Sequence, residues 1–108
     1  MADNTSFRQL ALSFAGAVEA PHFDKASFRA NNKIFATLQE KNGIAMIKLS
    51  PADQYVFCSA DKAAIYPVPG GWGLKGATYV DLKKIKKALL KEMLTIAYNS
   101  VTVKASKK

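Results

Sequence analysis

Pro21-His-Phe-Asp-Lys-Ala-Ser-Phe-Arg-Ala-Asn-Asn-Lys-Ile-Phe-Ala-Thr-Leu-Gln39 is the stretch around which the rest of the chain arranges itself. Two runs suited to strands, Ala26–Ala30 and Ile34–Gln39, flank Asn31 and Asn32. Asn tolerates positive φ better than other residues that carry a Cβ, so the pair suits a type I′ hairpin turn. In the second run, strict alternation sets Ile34, Ala36 and Leu38 on one face and Phe35, Thr37 and Gln39 on the other. In the first, Ser27 and Arg29 oppose Ala26, Phe28 and Ala30, which places a cation on the wetter face. A third strand, Ile44–Leu49, comes after the turn Lys41-Asn42-Gly43, with Ile44, Met46 and Lys48 alternating against Ala45, Ile47 and Leu49. Three strands joined by tight turns make an antiparallel meander.

Upstream, Phe7, Leu10, Ala11, Phe14 and Val18 recur at spacings of three and four, which predicts a helix from Ser6 to about Val18. Thr5 or Ser6 caps its start, and Pro21 closes off the segment beyond it. Downstream, Ser50 reads as the N-cap of a helix with Pro51 and Asp53 in its first turn, running to about Ser59. Ala64–Val68 reads as a short strand that Pro67 confines to a sheet edge or a strand end. Residues 69–73, Pro-Gly-Gly-Trp-Gly, read as a loop, and Ala77–Val80 as the fifth strand. A last helix, Asp81 to about Ser100, buries Leu82, Ile85, Leu89, Met93 and Ile96 and turns Lys84, Lys87 and Lys91 outward. Residues 1–5 and 101–108 are expected to fray. The order α-β-β-β-α-β-β-α describes an α+β domain of two layers, with a five-stranded antiparallel sheet and helices on one side.

At 108 residues the sequence fits one domain spanning 1–108, long enough to bury a core. Its 49% hydrophobic and 22% charged residues belong to a globular protein rather than a disordered one. No apolar run approaches membrane-spanning length, so no membrane partner is expected. The start, Met-Ala-Asp-Asn-Thr-Ser, lacks a basic region and an apolar core of the secretory kind. Cys58 is the single cysteine, which leaves no internal disulfide and no cysteine-built metal site. A cytoplasmic domain, monomeric, is the expectation.

The net charge of +8 is unevenly spread: residues 81–108 carry eight lysines against Asp81 and Glu92, a net of +6. Such asymmetry suits a polyanionic partner, but composition alone favours solubility. Fourteen Lys against two Arg lean toward solubility, because bidentate recognition of bases and phosphates prefers Arg. The lysines of the last helix are spaced as on a solvated face, with stems covering apolar surface. No Arg, Asn or Gln stands among them in the first turns to read base edges.

Several blocks resemble the MmcQ/YjbR family of small bacterial proteins. They are Pro-His-Phe (21–23), Ser-Phe-Arg (27–29), Lys-Ile-Phe-Ala-Thr-Leu (33–38), Leu49-Ser50-Pro51, Trp72-Gly73, Gly76 with Thr78, and a closing Leu-Leu helix with Ala97-Tyr98. They fall in the family's order and span nearly the whole chain after about residue 6. Asn32 stands where such sequences usually have Gly, and Ala77 where an aromatic is common. The resemblance implies an antiparallel sheet with helices packed on one side, similar to that of type III secretion chaperones. It also implies DNA binding through a proposed double wing, here the hairpin tipped by Asn31-Asn32 and the loop around Trp72.

The residues offer little for catalysis, and an enzyme is not expected. His22 and Cys58 are the one His and one Cys, and Cys58 sits mid-helix among Val56, Phe57 and Ala60, where a free thiol is ordinarily packing. His22 and Asp24 are two candidate metal ligands where a structural zinc needs four, so neither metal nor cofactor is expected. The glycines from 70 to 76 lack the strand-loop-helix context of a phosphate loop.

Nucleic-acid binding is the functional signal that stands out. His22, Arg29, Lys33, Trp72 and Lys75 lie in or beside strand ends and turns, and an aromatic ring among cations suits backbone gripping and base stacking. A plainer packing reading puts Trp72 against Phe35 and has His22 cap a turn. The competing function is a non-enzymatic module that receives a protein or small ligand on a sheet face carrying Trp72, Phe35, Tyr66 and Tyr79.

Overall fold

Asn31 and Asn32 stand at φ +54° and +63°, the left-handed pair that a two-residue type I′ turn requires. The hairpin they join is the centre of the sheet. The computed structural model describes residues 3–22, with the backbone alone at His22, and residues 25–102. In chain order the elements are α1 (Asn4–Leu12), β1 (Val18–His22), β2 (Lys25–Ala30), β3 (Lys33–Gln39), β4 (Ile44–Lys48), α2 (Pro51–Ala60), β5 (Ile65–Pro67), α3 (Gly71–Leu74), β6 (Ala77–Asp81) and α4 (Lys87–Thr102). Expectations attached to Asp24, to the His22 side chain and to residues 103–108 lie outside the described residues.

Among the described residues the sheet has six strands, ordered β1-β2-β3-β4-β6-β5, and every neighbouring pair is antiparallel. The α+β class and the one-sided helices match the sequence reading; the strand count does not. The strand missed was β1. It lies at an edge, pairs only with β2, and contains Pro21 opposite Ala26. Proline has no N–H to donate, so it fits an edge strand and hides that strand from pattern reading. The other edge is β5, which carries Pro67 as expected.

Two helix boundaries also differ. Helix α1 ends at Leu12, because the N–H and Oγ of Ser13 both donate to the Leu10 carbonyl and close the last turn. Its N-cap is Asp3, not Thr5 or Ser6: the carboxylate accepts from Ser6 N and Oγ at 2.8 and 2.7 Å. These bonds favour the charged form and hold the Asp3 carboxyl below its usual range. Helix α4 starts at Lys87 rather than Asp81. Asp81 Oδ1 instead accepts from Lys83 N at 3.0 Å, a local turn that competes with helix. Leu82 and Ile85 are nevertheless fully buried, as expected, with Leu90, Met93, Leu94 and Ala97 continuing the stripe. Leu89 and Ile96 sit at its half-buried margin. Helix α2 begins as predicted, with Ser50 Oγ accepting from Asp53 N at 3.1 Å. Residues 4–5 and 101–102, expected to fray, are helical.

One extra residue in β3 organises the two faces of the sheet. Phe28 pairs with Ala36 but Arg29 pairs with Ile34, so Phe35 is a bulge. Phe35 and Ala36 therefore both point to the helices and are fully buried, while Ile34 and Thr37 share the opposite face. This corrects the strict alternation read from sequence. Phe35 meets Phe14 and Tyr98 edge-on at 6.3 and 5.8 Å, and those two rings stack at 4.7 Å. The Tyr98 hydroxyl donates to the Ala15 carbonyl, tying α4 to the chain leaving α1. On the neighbouring strands alternation holds: Phe28, Ala30, Ala45, Ile47 and Leu49 face the core.

Arg8 fastens α1 over this layer. Its guanidinium is bidentate to Glu19 at 2.8 and 3.0 Å and reaches Glu40 at 3.0 Å. The two carboxylates, Glu19 foremost, push its pKa further up. No described helix is long and apolar enough to cross a membrane.

The turn supplies a direct test. A β-branched residue is strained in the left-handed region, so Asn32→Val should cost about 1–2 kcal/mol in urea unfolding. Asn32→Gly should equal or exceed the parent in midpoint.

Candidate functional site

Helices α1, α2 and α4 cover one face of the sheet, through contacts of α4 with β2, β3 and β4 and of α2 with β5. Among the described residues no helix of α1, α2 or α4 covers the other face, the open face of the sheet. Antiparallel registers run straight across it, so Ser27, Thr37, Met46, Tyr79 and Tyr66 form one row over five strands. Tyr66 and Tyr79 meet at 6.0 Å and 63°. Beside that row, Arg29 pairs with Ile34 and Lys48 with Ala77.

A cleft of about 410 Å³ lies over these rows. Its apolar lining is Ile34 and Met46 with Val68, Ala77 and the Tyr79 ring; Thr37, Lys25, Lys48 and Trp72 complete it. Bulging Phe35 inward is what leaves room here, since a phenyl ring at that register would otherwise share this face. Among the described residues the lining holds two cations and no carboxylate. Asp81, the acid in register with Ile44, engages the backbone of Lys83.

Trp72 is 67% exposed and is carried on α3, a single turn where the sequence predicted a loop. The turn is held by two devices. Gly73 packs against the end of β5 so closely that a Cβ there would lie 1.8 Å from the Val68 carbonyl oxygen. Gln54, from α2, donates from Nε2 to the carbonyls of Gly73 and Ala77, both at 2.9 Å. Gly76 then leads into β6 with φ +110°, and its own Cβ position would meet the Leu49 carbonyl oxygen at 1.8 Å.

Of the five residues expected to bind nucleic acid, the structure brings Trp72 to the cleft and Arg29 to the same open face beside it. Arg29 Nε donates to Ser27 Oγ at 3.3 Å, and Ser27 Oγ donates to the Ala20 carbonyl at 2.9 Å, so the guanidinium stem covers Ser27. Lys33 pairs with Ala30 and takes the helix side at the hairpin tip, exposed to solvent. Lys75 caps α3 and is exposed away from the cleft lining. His22 ends β1 opposite Lys25. The packing of Trp72 on Phe35 does not occur, because Phe35 is on the other face. Phe35 likewise leaves the aromatic set expected there, while Tyr66 and Tyr79 remain. Sequence reasoning missed Lys25 and Lys48, although both could be read: Lys25 extends the Ser27–Arg29 alternation, and Lys48 extends Ile44–Met46. Gln54 carried no signal, since its partners are distant backbone carbonyls.

A wider groove of about 810 Å³ lies on the helix side between Phe57 and the α4 residues Lys91, Glu92 and Ile96, with Lys86 and Leu89 at its start. Its lysines are solvated stems, and Cys58, nearby on α2, is half-buried, with burial pushing the thiol up.

The family model named YjbR matches residues 12–100. The chain belongs to the YjbR family. The crystal structure of Deinococcus radiodurans protein DR2400, described as a DUF419 domain, superposes with a TM-score of 0.83 at 20% identity, over 100% of this chain and 84% of that one. That likeness is one of fold. No curated protein matches the chain.

The support beneath Trp72 is testable through its own fluorescence, since it is the single tryptophan. Gly73→Ala should displace the turn and shift the emission and quencher accessibility. Gln54→Ala should do so more weakly, with a stability loss of about 1 kcal/mol for the lost bonds to Gly73 and Ala77. Unchanged emission in both would mean that neither residue positions the ring.

Proposed function

We propose that the protein binds DNA, without chemistry of its own, through the open face of the sheet. One observation carries this reading: an exposed indole, Trp72, stands at a cleft lined by Lys25 and Lys48, with Arg29 on the same face. Cations supply the phosphate attraction that dominates nucleic-acid affinity, and a solvent-facing ring supplies a stacking surface. His22 and Lys75, expected contacts from sequence, enter this reading as neighbours at the margins of the face rather than as its centre, and Lys33, also expected, belongs to the helix side. The lysines of α4 lie on the helix layer and contribute only a diffuse field. The raised thiol of Cys58, away from the cleft, fits packing rather than nucleophilic work. In this reading the protein acts in the cytoplasm.

A second reading has its own support. The cleft volume of about 410 Å³ and its apolar lining fit a small ligand or the side chain of a protein partner. Salt separates the two, because phosphate contacts release counterions and an apolar pocket does not.

Anisotropy of a labelled DNA at several salt concentrations should give log K falling linearly with log salt. The slope for a duplex is roughly −0.9 per phosphate contact, so engagement of Lys25, Arg29 and Lys48 gives roughly −2 to −3. Lys25→Ala with Lys48→Ala should flatten the slope by about two contacts. Replacing Lys84, Lys87 and Lys91 should change it much less. Salt-independent binding, or loss confined to the variant lacking Lys84, Lys87 and Lys91, would remove the open face from the function.

A further inference from the structure

We propose that the DNA taken by the open face is single-stranded, with an unpaired base in the cleft against Trp72 and Tyr79 and the flanking phosphates at Lys25 and Lys48. This rests on the DNA-binding reading and narrows it. Three observations point the same way.

The first is the kind of surface presented. A ring face can stack only on a base whose own face is free, and in a duplex both faces of each base are covered by its neighbours. Trp72, at 67% exposure, and the half-buried Tyr79 ring have nothing to stack on in duplex DNA. They match the arrangement of single-strand binders, in which rings on an open sheet receive splayed bases.

The second concerns the hairpin. Reading a duplex groove needs an element that projects into it, such as a helix or a free β-ribbon. The β2–β3 hairpin ends in a two-residue turn, and Asn31 Nδ2 donates to the Val101 carbonyl at 3.1 Å. Its tip is thereby tied down to the end of α4 rather than free as a wing. Helices α1, α2 and α4 are on the far layer, and α3 is one turn long.

The third is the cleft itself. Its lining pairs an apolar floor, Ile34 and Met46, with cations from two different strands, β2 and β4. A base needs the floor and its two phosphates need the cations. A duplex backbone would use the cations and leave the floor empty.

The test titrates the protein at low salt with an oligothymidylate of about 12 nucleotides, inside the usual site sizes of single-strand binders, and with a duplex of equal length. Both are monitored by anisotropy and by Trp72 emission. A duplex carries twice the charge per length, so electrostatics alone would favour it. The expected result is the reverse: at least tenfold tighter binding of the single strand, with saturable quenching of Trp72. Trp72→Ala should weaken single-strand binding roughly ten- to a hundredfold, while Trp72→Phe retains most of the affinity. Lys48→Ala, which leaves the ring in place, should weaken binding while the quenching at saturation persists. Duplex binding equal to or tighter than single-strand binding, or single-strand binding that leaves Trp72 emission untouched, overturns this inference while the DNA-binding reading stands. No binding of either DNA overturns both.

Discussion

The single unpaired residue of β3 decides what each face of the sheet is. With regular alternation, Phe35 would stand beside Thr37 on the open face and Ile34 would turn toward the helices. The register step between Phe28 and Arg29 reverses both. Phe35 goes inward, where full burial of a phenyl ring is worth about 2–3 kcal/mol and the edge contacts with Phe14 and Tyr98 add to it. Ile34 goes outward and becomes part of a cleft floor. The core gains its large ring and the open face loses one, and only then is there space between Lys25 and Lys48. A stabilising feature and a site-forming feature are here the same residue.

How far such a site is legible depends on the range of the interactions that make it. The hairpin turn at Asn31-Asn32, the cap at Ser50 and the alternation of β4 are local, and the residues display them. The α+β class comes from their order. The bulge is not local: nothing in Lys-Ile-Phe-Ala-Thr-Leu signals that two successive side chains share a face, because the preference comes from Phe14 and Tyr98, which lie far away in sequence. Strand β1 is hidden for a different reason. A short edge strand with one partner and a proline satisfies few of the patterns that mark a strand. The early end of α1 and the late start of α4 reflect side chains, Ser13 and Asp81, that compete with the helix for backbone bonds. Of the site, Trp72 and Arg29 were visible as residue types near turns. The layer that Lys33 faces is not legible from residue type, since a face can be told only once the register is known.

Charge is divided between the two layers in a way that composition conceals. The lysines of α4 and of the turn before it account for much of the net charge, yet they belong to the helix layer. Among the described residues the open face carries few cations, but they are grouped about an apolar cleft with no acid in its described lining. Coulomb attraction between exposed charges is screened over about 8–10 Å at physiological salt. On the DNA-binding reading proposed above, the α4 lysines would raise the rate of encounter, while contacts that persist in the complex would fall to the cations of the open face.

Exposure of Trp72 is by itself weak evidence, since single apolar residues at a surface are normal. Leu74, Tyr55 and Val56 are exposed to a similar or greater degree. What distinguishes Trp72 is the structure built under it. Leu74 shares the same turn but is absent from the cleft lining, and Tyr55 and Val56 lie on α2, in the helix layer. Beneath Trp72, a glycine packs where any side chain would collide with the Val68 backbone, and Gln54 commits its amide to two carbonyls that fix the turn to β6. A ring left outside by accident would need no such support. Ordering the turn costs backbone entropy, about 1–2 kcal/mol per residue fixed, and the exposed indole returns little of that through burial in the free protein. The Gln54 bonds and the Gly73 packing offset that cost, so the ring is held in place by the turn beneath it rather than by its own burial.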